Sequence, residues 1–177
     1  THRPPDHLDP QRLPGILADN PNAAVLCDPE SVAAFADLGV EAREHGGTTT
    51  RIGGVTITPF GEQHALIHDD LPRITNVGVR LDAEGEPSFF HPGDALDAVP
   101  GQAAVPAFPP PPPSQPRRDA PPFPRRLGAP HAVPIHDGLL QRRGRDLYLG
   151  QAAQLGCADT RIHDLAGAGP VEFRDGA

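Results

Sequence analysis

Four places along this chain set an imidazole or a carboxylate beside an apolar run or a helix start. His64 lies four residues after the run ending at Phe60, Asp94 lies four after Phe90, and His136 follows Ile135 directly. His2, Asp6 and His7 sit together before the first helical segment. Polar residues just past strand ends meet at one rim of a sheet, on the loops that commonly carry function. Imidazole and carboxylate are ligand types of hydrolytic zinc. A carboxylate can also bridge two ions ~3.5–4 Å apart, a pair that stabilises both the attacking and the leaving oxygen. Taken singly, each residue has a plainer explanation. His2 and His7 could be a frayed terminus, His64 and His136 strand-end imidazoles, and Asp94 a turn residue. His68 and His91 could face a substrate, support a ligand from behind, or lie at the surface, with the surface favoured. His45, His131 and His163 have no motif around them and are expected in solvent. Arg117, Arg118, Arg125 and Arg126 read as a solvated basic loop rather than a phosphate site.

The elements that must position these residues are short. Asp9-Pro10 marks a helix start, with Leu13, Ile16 and Leu17 as its apolar side. Ala23 to Cys27 is a compact apolar strand. Asp28-Pro29-Glu30 opens a second helix with Val32, Phe35 and Leu38 at helical spacing and Gly39 as its stop. Val55 to Thr58 alternates as a half-buried strand after the Gly53-Gly54 turn. Val77 to Leu81 and Pro87 to Phe90 flank Ala83 to Glu86 as a hairpin. Further on, Ala132 to Ile135 predicts a strand, Asp146 to Leu155 a helix, and Val171 to Phe173 a closing strand.

Between residues 100 and 130 the composition changes. Twelve of the 24 prolines lie there, five of them consecutive from Pro109 to Pro113. Proline lacks the N–H donor and fixes φ, which argues against a helix or a central strand. The segment is expected to be polyproline II or disordered. The chain therefore divides into 1–100, which holds most candidate ligands; 101–130, Pro-rich and aberrant in composition; and 131–177, which resumes the same domain.

Composition narrows the function classes. A net charge of -8 excludes a non-specific nucleic-acid role, which needs cationic density. Every cationic side chain is Arg, and the Ala/Arg/Gly/Pro-rich usage points to a GC-rich, bacterial coding sequence. Cys27 and Cys157 are too few for a disulfide framework or a zinc knuckle; Cys27 reads as a buried thiol. No run reaches the ~18 apolar residues of a membrane span, and no signal peptide is visible. A small-molecule substrate and a cytoplasmic location are the corresponding expectations.

The order of these groups resembles one family. Thr1-His2-Arg3-Pro4-Pro5-Asp6-His7 is similar to His-x-His-x-Asp-His, with Pro4 where the middle histidine would stand. Gln63-His64, His91-Pro92-Gly93-Asp94 and Pro134-Ile135-His136-Asp137-Gly138 follow in the order and approximate spacing of the metallo-β-lactamase superfamily. Gly61 to His68 strengthens a likeness to its ascorbate-phosphate lactonase-like branch. The resemblance covers about residues 1–100 and 130–176. It implies an αββα sandwich of the α/β class, here incomplete, with an N-terminal half expected before Thr1. It implies one ion on His2, His64 and the bridging Asp94, lacking its third imidazole at Pro4. A second would take Asp6, His7, Asp94 and His136. Zinc is the implied metal, with manganese as the alternative. Asp6 and Asp94 would be the catalytic carboxylates, and His68 a weak substrate contact. The implied activity is hydrolysis of an ester, lactone, phosphoester or amide by a metal-bound hydroxide, impaired by the missing ligand. Two alternatives stand beside it: a catalytically inactive remnant, and an interaction protein offering Pro109 to Pro113 to aromatic-lined grooves.

Overall fold

Asp9 starts the first helical segment through its carboxylate, which accepts from the N–H groups of Gln11 and Arg12 at 2.9 and 3.1 Å. In the computed structural model, which describes residues 1–110, 123–156 and 159–174, the helix itself, α1, covers Leu13–Asp19. Its expected apolar side is not covered, and none of its residues is buried. β1 (Val25–Cys27) runs through Asp28 into α2 (Ser31–Asp37). The Asp28 carboxylate accepts from the Ser31 N–H at 3.2 Å and from the Ser31 hydroxyl. Gly39, at φ 70, turns the chain off the end of α2. Phe35 is the apolar residue α2 buries. β2 (Ala42–Glu44) then lies parallel to β1.

The remaining strands form one mixed sheet. β3 (Thr50–Ile52), β4 (Val55–Phe60), β5 (Gly78–Ala83) and β6 (Phe89–His91) pair antiparallel in sequence. The expected hairpin is present between β5 and β6, with Leu81 opposite Phe89 and Gly85 at φ 77 in its turn. From β6 onward the pairing is parallel, through β7 (Val105–Phe108), β8 (His131–Pro134) and β9 (Arg161–Ile162). Parallel neighbours need crossovers; α3 (Phe123–Leu127) lies in the one from β7 to β8 and α4 (Arg142–Gly156) in the one from β8 to β9.

Two sequence expectations are corrected. The Pro-rich stretch does contain a central strand: β7 is buried along its whole length between β6 and β8. Pro106 contributes no donor, but its neighbours carry the ladder: Val105 donates to the Ser88 carbonyl and Ile135 to that of Phe108, each at 2.9 Å. The same stretch also forms α3, with Phe123, Pro124 and Leu127 buried. Pro124 is tolerated because it occupies the first turn, where an N–H has no intrahelical partner. The run Pro111 to Pro113 and the residues Arg117, Arg118 and Cys157 lie outside the described residues. The closing strand is Arg161–Ile162, not Val171 to Phe173, which forms none. Phe173 instead packs its ring beside His131 and His163.

The main core joins Phe90, Phe108, Phe123, Leu127 and Ala132 between the parallel half of the sheet and the helices α3 and α4. Phe90 is fully buried, with its ring edge-on to Phe60. Cys27 is buried, as expected, and lines a hollow of about 310 Å³ with Ile57, Val79 and Leu81. His45 and His131, expected in solvent, are buried. No helix among the described residues is long and apolar enough to cross a membrane.

Candidate metal centre

The loop before α1 is shaped by Pro4. Its carbonyl accepts the N–H groups of His7 and Leu8 at 2.9 and 3.0 Å, which folds Asp6 and His7 back toward His2. The Thr1 carbonyl accepts from Val77 at 3.0 Å and ties the loop to the start of β5. His64 follows the end of β4, Asp94 follows β6, and His136 follows β8. The rims of three strands and the first loop therefore converge.

Asp94 is the centre of that convergence. Its Oδ2 lies 3.3 Å from Nε2 of His136, 3.4 Å from those of His7 and His64, and 3.7 Å from that of His2. Asp6 Oδ2 stands 3.0 Å from His136 Nε2 and 3.8 Å from His7 Nε2. The donor atoms fall into two groups, His2 with His64 and Asp94, and Asp6 with His7 and His136. Within each, the ligand atoms lie within 4.8 Å of one another. Pro4 offers no ligand atom to the first. The groups differ in access: the side chain of His2 is 1% exposed, whereas that of Asp6 is 55% exposed. The second group is the mouth of the site and the first its floor.

Tautomers decide what this cluster can hold. The Nδ1 of His64 is 2.7 Å from the Ala65 carbonyl oxygen, which can only accept. Nδ1 must therefore carry the proton, leaving a bare lone pair on Nε2 in the neutral ring. That lone pair faces the Asp94 carboxylate at 3.4 Å. Two acceptors held face to face repel unless a cation lies between them. The Nδ1 atoms of His2 and His7 both lie 3.2 Å from the Thr1 hydroxyl oxygen, which fixes their rings from behind, as ligand imidazoles require. His7 Nε2 and Asp94 Oδ1 are buried without a hydrogen-bond partner. The residues fit a metal ion on both sides of Asp94.

The charges agree. Burial, with His7 alongside, depresses the His2 imidazole to about 4 and keeps it neutral, the ligand form. Burial works against ionising Asp94, yet the neighbouring imidazole of His7, with those of His136 and His2, lowers its carboxyl to about 2. Burial also works against ionising Asp6, but hydrogen bonds from its own backbone and from His136 hold it below the usual carboxylate range.

Three residues support the Asp94 loop, of which Asn76 carries no sequence motif and His91 was expected at the surface. Asn76, 1% exposed, donates to the Pro92 carbonyl at 2.9 Å and accepts from the Asp94 N–H at 3.0 Å, fixing the Asp94 loop. Gly93 must be glycine there: it sits at φ 65, and a Cβ would meet Asn76 Oδ1 at 2.1 Å. His91, expected at the surface, is partly buried, and its Nδ1 accepts from the Gly93 N–H at 3.1 Å. Burial, with the N-terminus nearby, depresses it to about 4. His68 stays apart from the six-residue cluster, its side chain 65% exposed and its Nδ1 accepting from the Asp70 N–H. Arg126 donates to the Leu96 carbonyl and lies over the Phe123 ring, so it is not a simple solvated cation.

The arrangement of sheet, helices and rim loops is that of the metallo-β-lactamase fold. The metallo-beta-lactamase fold protein YhfI from Bacillus subtilis superposes with a TM-score of 0.53 at 13% identity, over 79% of this chain and 61% of that one. The isothiocyanate hydrolase from Delia radicum gut bacteria superposes with a TM-score of 0.57 at 16% identity, over 92% of this chain and 71% of that one. At such identities the likeness shows the fold. The chain thus spans less than two thirds of YhfI's length. Sequence places it more narrowly: it is 34% identical over 165 residues to Protein Rv0786c of Mycobacterium tuberculosis (strain ATCC 25618 / H37Rv), covering 92% of this chain and 76% of that one, and it belongs to the family of that protein. No family model matches the chain.

Proposed function

We propose that this chain is a metal-dependent hydrolase acting on an ester, lactone, phosphoester or amide. The observation that carries the reading is the His64 geometry: a bare Nε2 aimed at the Asp94 carboxylate at 3.4 Å. His2, His64 and Asp94 would hold one ion; Asp6, His7, Asp94 and His136 would hold the other. Zinc suits this nitrogen and oxygen donor set, and manganese is the alternative. Ions held there would supply Lewis acidity and acidify a water toward pKa ~7. Asp6, at the exposed mouth, would accept a hydrogen bond from the attacking water and orient it. Asp94 holds its negative charge between the two groups. His68 lies outside the cluster, so a substrate contact there would have to come from the outer rim. A hydrolase among the fold neighbours supports hydrolysis, and the Gly61 to His68 segment is the part of the sequence that suggests a lactonase-like substrate.

The test is metal content and turnover together. Protein equilibrated with zinc or manganese should retain at least one ion per chain, hydrolyse some member of an ester, lactone and phosphodiester panel, and lose that activity to a chelator. A folded sample with metal stoichiometry near zero would end the reading. A second reading, an inactive descendant, is favoured by Pro4, which leaves the His2 and His64 group one imidazole short. Pro4→His should raise metal content toward two ions if the site is otherwise intact; no gain would favour the inactive form.

A further inference from the structure

We propose that Arg145 is the positioning residue for the mouth of the metal centre, acting on His136 through Asp137; this rests on the reading that Asp6, His7, Asp94 and His136 hold an ion. His136 is the one described non-glycine residue with positive φ, at 59°. A left-handed backbone on a side-chain-bearing residue is strained and persists only where its surroundings hold it. The residue before it is pinned by the main chain, since Ile135 donates to the Phe108 carbonyl of β7 at 2.9 Å. The residue after it is pinned by a side chain. Arg145 Nε donates to Asp137 Oδ2 at 2.5 Å, and Arg145 Nη1 donates to Asp164 Oδ2. Asp164 is fixed in turn, because its Oδ1 accepts from the Ala166 N–H at 2.9 Å.

The guanidinium is thus a bracket between two loops that follow neighbouring parallel strands. It sits near the start of α4, with its side chain 13% exposed, and spans from the His136 loop after β8 to the loop after β9. Only arginine offers two donors in a rigid fork suited to two carboxylates at once. It touches no donor atom of the cluster. Without it, the C-terminal side of His136 would keep only the turn in which the Asp137 carbonyl accepts from the Leu140 N–H at 3.0 Å, and the Asp137 carboxylate would lose its guanidinium partner. The His136 imidazole would then have to be ordered by the ion itself, which weakens binding. The floor group, His2 with His64 and Asp94, hangs on other loops and should be spared.

Competition of the purified full chain against a chromophoric zinc chelator reads the two sites separately. Arg145→Ala should weaken the tighter step, assigned to Asp6, His7, Asp94 and His136, by on the order of 10-fold or more, the usual effect of removing a ligand's support. The weaker step should stay within twofold of wild type. Arg145→Lys, keeping the charge but not the fork, should recover part of the loss. Asp164→Asn, which releases only the outer end of the bracket, should shift the same step by less. An unchanged tight step in Arg145→Ala and Asp164→Asn would overturn the proposal, as would equal weakening of both steps, the mark of a general structural role. If Arg145→Ala does not fold, Arg145→Lys and Asp164→Asn are judged by the same criteria. A wild-type chain that binds no zinc would remove the hydrolase reading as well, whereas wild-type binding with unaffected variants removes this proposal alone.

Discussion

Asp94 is the residue on which the proposed metal centre depends, because one oxygen faces four imidazole nitrogens. Replacing the carboxylate by an amide of the same shape keeps the packing and removes the charge. Asp94→Asn is therefore expected to lower metal content at both positions together, with folding retained, because the Asn76 contact is made to the Asp94 backbone rather than its side chain. Metal analysis beside circular dichroism checks this; loss of only one ion would show that Asp94 is not shared. The six residues of the cluster were legible in the sequence because ligand chemistry restricts residue type and strand ends restrict position. Asn76 and Arg145 were not legible. Their roles come from what they reach across the fold, and an isolated Asn or a third Arg in an Arg-rich helix start has no local signature. His91 and His131 were misplaced for the same reason, since burial of an imidazole is decided by partners distant in sequence.

At the scale of elements, periodicity located β4, the β5–β6 hairpin and β8, where alternation or an apolar run is bounded by turn residues. It failed for β7, where proline content outweighed the apolar Val105, Ala107 and Phe108. A buried parallel strand shows no alternation, because both faces are covered, so its signal is a short apolar run that one proline obscures. It located α1 but not its packing, since the apolar residues of that helix lie unburied. The weight carried by α3 is testable. This short helix cannot be stable by itself; it is held by Phe123 and Leu127 against Phe90, Phe108 and Ala132. Phe123→Ala should cost about 3–5 kcal/mol through lost burial and the cavity left behind. The loss should concentrate where α3 meets β7 and α4. Chemical denaturation measures the first, and amide exchange at β7 and β8 the second. A destabilisation under about 1 kcal/mol would mean that α3 is not part of the core.

For the molecule as a whole, acid should be the weak side of the metal-free chain, and two opposing effects set the outcome. The net charge of -8 and sequence pI of about 5.5 mean that general repulsion eases as pH falls toward 5.5, which favours the folded state. That effect is spread over the surface and screened beyond ~8–10 Å by salt. Against it stand imidazoles held neutral by burial: His2 and His91 at about 4, with His45 and His163 also lowered from 6.5. Above pH 6.5 both states leave these rings unprotonated, and they contribute nothing to the pH dependence. Below it the unfolded chain takes up protons that the folded chain refuses, so stability falls with pH through the window from 6.5 to about 4. For the nearly buried His2 alone the loss is on the order of 3 kcal/mol, more than screened surface charge returns. Asp94, with its carboxyl lowered to about 2, works in a separate window: its stabilisation is complete above 3.8 and disappears only as pH falls toward 2. The unfolding midpoint of chelator-treated protein should therefore decline steadily from pH 6.5 to pH 4; a level or rising midpoint over that interval would contradict the burial of these rings. With zinc bound at the proposed centre the decline should steepen, because ligand imidazoles must be neutral to bind and protons compete for the same nitrogens.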